Sequence, residues 1–385
     1  MKVLAIDHMG VLESEHEKYR QLARYDDVDL TVLIPEYWRL NFRKISLPES
    51  YFRSEGYEGT YKVIAGKTFL AGRGGCSFYS TSLIKTLRDF KPHVIHIFQE
   101  PWSFFAFQAI FWGNLLVPQA KVLFLTWENL YRNFTYPSLL SPVYSFIDRY
   151  TYQNADYALP TSQGAKKVLI RKGFPGKVKV VPWGTDPQLF KKEKATKLKR
   201  KLGLEGSFVI GCVGRLVRGK GILTLIKAVS GISYDYKLLL VGSGPLRDEI
   251  IKEAGFTGIR DRVILVGAVR QSELPGYYSL MGVLVLPSLT TKDWKEQFGR
   301  VLIEAMACQT PVIGSESGEI PRIIGKTGLL FKENDIEDLR KKIIQLIENP
   351  SWASELGRKG RERVMEKYTW KKFAREIHRV YEELI

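Results

Sequence analysis

The sequence is poor in the residues that staple small folds or hold metals. It has three cysteines in 385 residues, Cys76, Cys212 and Cys308, far apart and without paired spacing. That excludes a disulfide framework and the usual zinc spacings, and a reducing cytoplasm is the expected compartment. Of five histidines only His93 and His96 are close, and a strand would point them to opposite faces, so no histidine metal site is expected. The single Asp-x-Asp, Asp27-Val28-Asp29, precedes the apolar run LTVLI and reads as a polar strand entry. Long hydrophobic runs are also missing. The nearest, Trp102 to Val117, is broken by Ser103, Gln108, Gly113 and Asn114, whereas a spanning helix needs about 20 apolar residues. It reads as a buried helix, with a membrane-facing patch as the rival. The opening MKVLAIDHMG turns polar too early for a signal peptide.

Negative charge is short as well. Lys and Arg number 58 against 41 Asp and Glu, a net +17, while 45% hydrophobic and 26% charged residues are ordinary for a folded protein. The excess asks for an anionic partner: nucleic acid, a membrane surface or a phosphorylated ligand. It is concentrated. Lys166 to Lys201 holds 13 basic and 2 acidic residues, so 13 − 2 = +11 of the total falls in 36 residues. A run of this kind is ordinarily a solvated face.

What is present is alternation. Short β-branched runs (KVLAI from Lys2, LTVLI from Leu30, VIHI from Val94, KVLFLT from Lys121, YALPT from Tyr157, VKVV from Val178) alternate with helical stretches. Those are Glu13–Ala23, Phe78–Phe90, Phe104–Val117, Val143–Ala155 and Gln163–Lys172. The pattern restarts with FVIGCVG from Phe208, KLLLVG from Lys237, RVILVG from Arg262, GVLVLP from Gly282, TPVIG from Thr310 and GLLF from Gly328. Continuous apolar strands are buried on both faces, so two doubly wound α/β units with parallel sheets are expected. The boundary is placed near 185–205, giving domains 1–190 and 191–368. Two helices, Trp352–Glu366 and Trp370–Leu384, should close the chain. Ligands of such sheets bind beyond the carboxyl ends of the strands.

Two segments in the second half carry chemistry. In Glu296-Gln-Phe-Gly-Arg-Val-Leu-Ile-Glu304, a helix should open near Gly299, with Glu296 just ahead of it and Glu304 inside. The bare helix start offers backbone N–H groups to a diphosphate, and the two carboxylates suit sugar and ribose hydroxyls. The second, Gly214-Arg215-Leu-Val-Arg218-Gly219-Lys220-Gly221, leaves a strand end and brings two cations toward the same edge. Arg offers a planar fork for phosphate oxygens and Lys a compact charge.

Together with Val241-Gly-Ser-Gly-Pro-Leu246 and Ser315-Glu-Ser-Gly-Glu-Ile-Pro321, these segments resemble family 4 retaining glycosyltransferases, of GT-B fold. The likeness is strong from Phe208 to Phe331 and weaker through Val181-Pro-Trp-Gly184-Thr-Asp186 and Ser162. It implies two Rossmann-like domains facing across a cleft, with the final helix (about 369–385) packed back on the first. It implies that Arg215 and Lys220 hold the donor diphosphate, that Glu304 takes the ribose hydroxyls and that Glu296 faces the donor sugar. Phe298, Gly299, Arg300 and Gly214 would lend further donor contacts, and Val269 matches the place where main chain holds the base edge. Relatives commonly read Glu-Gly-Phe-Gly, and Gln297 stands where their first glycine would be. In the first half one glycine, Gly10, stands where relatives carry two. Thr126-Trp127-Glu128-Asn129 follows KVLFL where many relatives read Thr-His-Asp. Acceptor-side candidates are Gly10, Glu100, Trp102, Trp127 and Glu128.

The implied reaction moves a sugar from a UDP- or GDP-sugar to an acceptor hydroxyl, with retention at the anomeric carbon and neither metal nor cofactor. Glycan, glycolipid or polysaccharide synthesis is the expected setting, with a glycan or lipid-linked acceptor; contact with an anionic membrane stays open. A glycoside hydrolase would need its two carboxylates opposed across the bond, not gathered around one helix start. Gly242-Ser-Gly244-Pro-Leu-Arg247 ends in Arg and follows the second strand of its unit, against a dinucleotide site. The 166–201 run lacks the interleaved aromatics of single-strand binders, and no nucleic-acid partner is expected. A GT-B sugar-nucleotide epimerase or phosphorylase remains the alternative, and behind it a basic non-enzymatic nucleic-acid or membrane-binding module.

Overall fold

A computed structural model of the chain describes residues 1–40, 43–47, 61–131 and 140–385. The chain divides into two compact units, Met1–Pro182 with Trp370–Ile385, and Trp183–Thr369.

In the first unit, seven parallel strands form one sheet: β1 Lys2–Ile6, β2 Asp29–Pro35, β3 Lys62–Gly66, β4 Val94–Ile97, β5 Lys121–Thr126, β6 Tyr157–Pro160 and β7 Lys177–Val178. Their order is β7-β6-β5-β4-β1-β2-β3. Val3 to Ile6, Ile95, Ile97 and Val122 to Leu125 are all but inaccessible, as a sheet covered on both faces requires. The helices α1 Glu17–Leu22, α2 Ser82–Phe90, α3 Phe104–Leu116, α4 Ser141–Asn154 and α5 Gln163–Arg171 connect these strands.

The strand β3 escapes the sequence pattern because it is a half-exposed edge that ends in Gly66. The expected helix over Glu13–Ala23 is also corrected. Two 3-10 turns, His8–Val11 and Glu13–Glu15, precede a shorter α1. Local polar chemistry breaks the helix. The Asp7 side chain accepts from Met9 N at 2.8 Å, and the Gly10 carbonyl is taken by His16 Nε2 at 2.7 Å.

The final helix, Trp370–Leu384, completes this unit. Trp370, Phe373, Ala374, Ile377, His378, Val380 and Tyr381 recur at helical spacing and are buried. Tyr381 Oη lies 2.7 Å from His96 Nδ1 on β4, His378 stacks on Tyr25 at 3.9 Å, and Glu376 pairs with Lys179 at 3.2 Å.

In the second unit six parallel strands, β8 Phe208–Val213, β9 Tyr236–Val241, β10 Val263–Gly267, β11 Val283–Leu286, β12 Val312–Ser315 and β13 Leu329–Phe331, take the order β10-β9-β8-β11-β12-β13. Helices α6 Thr196–Lys201, α7 Ile222–Ser230, α8 Arg247–Phe256, α9 Leu274–Leu280, α10 Arg300–Ala307, α11 Ile320–Ile324, α12 Ile336–Glu348 and α13 Pro350–Lys367 surround it. The chain enters this unit at Trp183 rather than at 191. Phe190 is the reason: it is buried in this core, and its carbonyl accepts from the Arg361 guanidinium at 3.1 Å. At the far end Tyr368 is buried against Phe298, rings 6.0 Å apart.

The final helix is therefore a structural member of the first unit. Ile377 is fully buried, so Ile377→Ala should cost about 2–5 kcal/mol. Urea unfolding should show the loss in the first unit's transition, with the second unit's transition unmoved.

Candidate functional site

Each sheet changes direction once, and in the second unit this happens between the neighbours β8 and β11. Beyond the carboxyl ends of such a pair a crevice opens. The segment after β8 carries Gly214 and Arg215 into a 3-10 turn, Arg218–Lys220. The segment after β11 carries Ser288, and its long loop returns Glu296. Leu289 N donates to Gly219 O at 2.8 Å and ties the two segments together.

At the crossing of these segments lies an ion pair. Lys220 Nζ donates to Glu296 Oε2 at 2.6 Å, and Ser288 Oγ donates to the same oxygen at 2.7 Å. The Glu296 side chain is 8% exposed and that of Lys220 17%. The Trp294 ring lies 5.2 Å from the ammonium, and its edge fills the space a Cβ on Gly219 would need. Buried charges persist only when paired. Two sequence-predicted residues, 76 positions apart, thus meet directly. Arg215 is exposed, with no ion-pair partner among the described residues.

Helix α10 begins as the sequence suggests. Gly299 is its N-cap at φ 85°, a conformation that favours glycine, and has no side chain to satisfy the first N–H groups. Gln297, where a glycine was expected, keeps a negative φ, so the substitution imposes no backbone strain. Glu304 is buried and accepts from Tyr278 Oη at 2.8 Å. Burial and the Glu304 charge hold that phenol well above its ordinary range.

Phe298 belongs to the apolar core, which limits it to main-chain contacts with a ligand. The Arg300 guanidinium sits 5.8 Å from the Trp183 ring, and Val269 is half-buried against the same core. Gly214 takes φ 142°, and its carbonyl lies where a Cβ on Gly242 would stand, 1.8 Å away. The two strand ends therefore meet backbone to backbone. Ser288, Tyr278 and Trp294 were not singled out in the sequence. Position was the only signal: Ser288 directly follows the strand VLVLP.

In the first unit the switch lies between β1 and β4. Gly10 has no space for a side chain, since a Cβ would stand 2.5 Å from Ile34 Cγ2. Around it Lys18 Nζ donates to Asp7 at 2.8 Å and Glu15 at 3.0 Å, and Tyr19 Oη to Asp7 at 2.5 Å, all buried. Gly10 is thus a packing glycine, with its carbonyl committed to His16.

Glu100 is buried and braces the chain after β5: Thr126 Oγ1 donates to Oε2 at 2.6 Å and Trp127 N to Oε1 at 3.0 Å. Burial, reinforced by the Glu128 charge, pushes its carboxyl up to about 8. Glu128 accepts from Lys172 Nζ at 2.6 Å, which also reaches Asp148 at 3.1 Å. Lys172 thereby leaves the solvated basic run. Trp102 meets Tyr144 edge to face at 5.6 Å, and Trp127 is half-buried. Glu100, Thr126, Trp127 and Glu128 form one cluster, joined through Glu128 to Lys172 and Asp148.

Comparisons with known proteins identify the family and the fold. The family described as Glycosyl transferases group 1 matches residues 194–363, and that described as Glycosyltransferase Family 4 matches residues 16–189. A sulfoquinovosyl transferase of Arabidopsis thaliana is 27% identical over 336 residues, 82% of this chain and 63% of its own length. A GDP-mannose-dependent phosphatidylinositol monomannoside mannosyltransferase of Mycolicibacterium smegmatis is 26% identical over 60% of this chain and 59% of its own. The chain thus spans less than two thirds of these relatives. The crystal structure of Anabaena HepE in complex with UDP is similar at a TM-score of 0.73 and 19% identity, covering 100% of both chains. At that identity the likeness shows the fold: two Rossmann-like units of the GT-B type.

Glu100 makes a pH-dependent contribution with a definite sign. Its folded value is raised from 4.5 to about 8, so the folded chain holds a proton that the unfolded chain releases. Stability from this group is complete below its ordinary value and is lost as pH rises toward 8. Glu100→Gln should remove that dependence, its oxygen still accepting from Trp127 N and its amide nitrogen donating to Thr126 Oγ1. Urea midpoints of the two proteins between pH 4.5 and 8.5 check this: their difference should change steadily with pH, and a constant difference would remove the assignment. His16, pushed down to about 4 mainly by burial, contributes equally to both proteins.

Proposed function

We propose that this chain, which belongs to the family 4 glycosyltransferases, moves a sugar from a nucleoside-diphosphate sugar to an acceptor hydroxyl. One observation carries the reading: the Lys220–Glu296 pair, set with Ser288 at the switch point of the second sheet and followed by a bare helix start at Gly299. Cation, carboxylate and backbone donors converge there.

Each group has a task in this reading. Arg215, Lys220 and the N–H groups after Gly299 receive the diphosphate. An ammonium has three donors, so Lys220 can serve a phosphate oxygen and keep Glu296 in place. Glu304, fixed by Tyr278, receives the ribose hydroxyls, and the main chain at Val269 takes the base edge. Glu296 faces the transferred sugar. As the bond to the anomeric carbon lengthens, negative charge gathers on the diphosphate, and fixed cations in a water-poor site stabilise it. These cations supply the charge that a metal supplies in other transferases, so the reaction is proposed to run without one. Family likeness implies retention of anomeric configuration, with the acceptor entering on the leaving-group face.

The name of the mycobacterial relative supports a lipid among the acceptor alternatives. The Arabidopsis and mycobacterial relatives are named for sulfoquinovosyl transfer and for a phosphatidylinositol mannoside. We therefore place the acceptor among lipid-linked or membrane-surface glycans, with the enzyme at the cytoplasmic face of an anionic membrane. Among the described residues no helix is long and apolar enough to cross one.

A panel of UDP-, GDP- and ADP-sugars should contain a donor that raises the melting temperature of the native chain; no shift with any of them would count against the reading. With that donor, Glu296→Ala should lower turnover about 100-fold or more while changing donor affinity less, as loss of a transition-state contact does. Arg215→Ala should weaken both binding and turnover. Wild-type turnover in Glu296→Ala would remove its role.

A further inference from the structure

On the first unit, α3, α4 and α5 follow successive strands β4, β5 and β6, which lie side by side. Right-handed crossovers stepping in one direction put all three helices on one face of the sheet. α3 carries no charged residue, and α4 and α5 carry a single acidic one, Asp148. Asp148 is buried and paired with Lys172.

The outer surface of α3 and α4 is aromatic. Phe107 stacks on Phe111 at 5.8 Å and meets Tyr150 at 5.1 Å and Phe146 at 6.2 Å. Phe111 is 43% exposed, Phe146 58% and Leu115 63%. These positions lie on one stripe of each helix, at spacings of four, and the two stripes adjoin. Scattered exposed apolar residues need no explanation, but a contiguous aromatic cluster marks an interaction surface.

On the α4–α5 side the edge of this patch is basic. Arg149 on α4 and Lys167 and Arg171 on α5 are exposed, and Ile170, 57% exposed, stands between the last two. Arg149 and Arg171 line a shared hollow of about 560 Å³ between the two helices, and Tyr131 lies over the Arg171 guanidinium at 4.1 Å. Pairing with a second copy about a two-fold axis would set these charges against their own kind. An anionic bilayer satisfies both features at once: acyl chains receive the aromatic cluster, and lipid phosphates meet the arginines and the lysine.

We propose that the α3–α4 aromatic face, with Arg149, Lys167 and Arg171 at its edge, docks this protein on anionic lipid bilayers. The inference deepens the reading of a membrane-surface acceptor by naming the surface that reaches it. It is independent of the donor site, none of whose residues it uses.

The experiment is co-sedimentation of the full chain with vesicles of phosphatidylcholine alone and of phosphatidylcholine with about one third phosphatidylglycerol, at low and at physiological salt. Wild type should bind the anionic vesicles, bind the neutral ones far less, and weaken as salt rises. Phe111→Ser with Phe146→Ser should lower partitioning about tenfold or more. Arg149→Gln with Arg171→Gln should lower it about fivefold per charge. All four positions are exposed, and an unchanged melting-temperature shift with the donor confirms that each variant is folded. Equal binding to neutral and anionic vesicles overturns the proposal, as does no binding at low salt, or unchanged binding in the variants. So does a solution dimer that the phenylalanine variant dissolves, since that assigns the face to self-association. A wild type that binds donor but no vesicles tells against this surface alone; absence of donor binding in wild type tells against the transferase reading instead.

Discussion

The pairing of Lys220 with Glu296 is the constraint on which the rest of the second unit depends. A carboxylate 8% exposed and a cation 17% exposed are tolerated because they satisfy one another at 2.6 Å. Removing either leaves a charge in a poorly solvated place, which costs several kcal/mol. The pair also joins two loops that leave the sheet in opposite directions, one after β8 and one after β11. Trp294 closes over the ammonium, and Gly219 leaves room for that ring. The segment that opens α10 is held as a consequence. In the proposed reading, a diphosphate arriving at the bare start of α10 would find cation and N–H groups already in position, the preorganisation that transfer chemistry requires.

The first unit uses buried charge for a different end. Asp7, Glu15 and Lys18 form one enclosed cluster after β1, and Glu128, Lys172 and Asp148 another after β5. Both lie close to strand ends, and both replace regular helix or strand with loops whose paths are fixed by side-chain hydrogen bonds. Glu100 goes further. Burial and a neighbouring carboxylate favour its protonated form well into the neutral range. Such clusters are expensive to desolvate, and what they provide is definition of the loop path rather than net stability.

Fold and donor side were legible in the sequence to unequal degrees. Buried parallel strands announce themselves as continuous β-branched runs, and these runs became strands except VKVV, of which only Val178 lies in the two-residue strand β7. Edge strand β3, half exposed and ended by Gly66, carried no such signal. Helix α1 was overextended because hydrophobic periodicity says nothing about a buried Asp–Lys–Glu cluster that draws the preceding turns into 3-10 form. The boundary was set too late because the basic run from Lys191 hides the anchoring of Phe190 in the second core. In the site, Glu296 and Lys220 were singled out separately; their contact spans 76 positions and depends on two crossovers that no local pattern encodes. Ser288 and Tyr278 were missed for the same reason. The surface lysines gave no warning that Lys172 would be buried with two carboxylates.

Isothermal titration of UDP, GDP and ADP into wild type and into Lys220→Ala tests the central claim most directly. The account predicts saturable binding of one of these nucleotides at a single site in wild type. In Lys220→Ala the dissociation constant should rise by about 100-fold, the loss expected for a charged hydrogen bond to a phosphate in a partly buried site. Equal affinity in the folded variant, or no binding of any of the three by wild type, would contradict it.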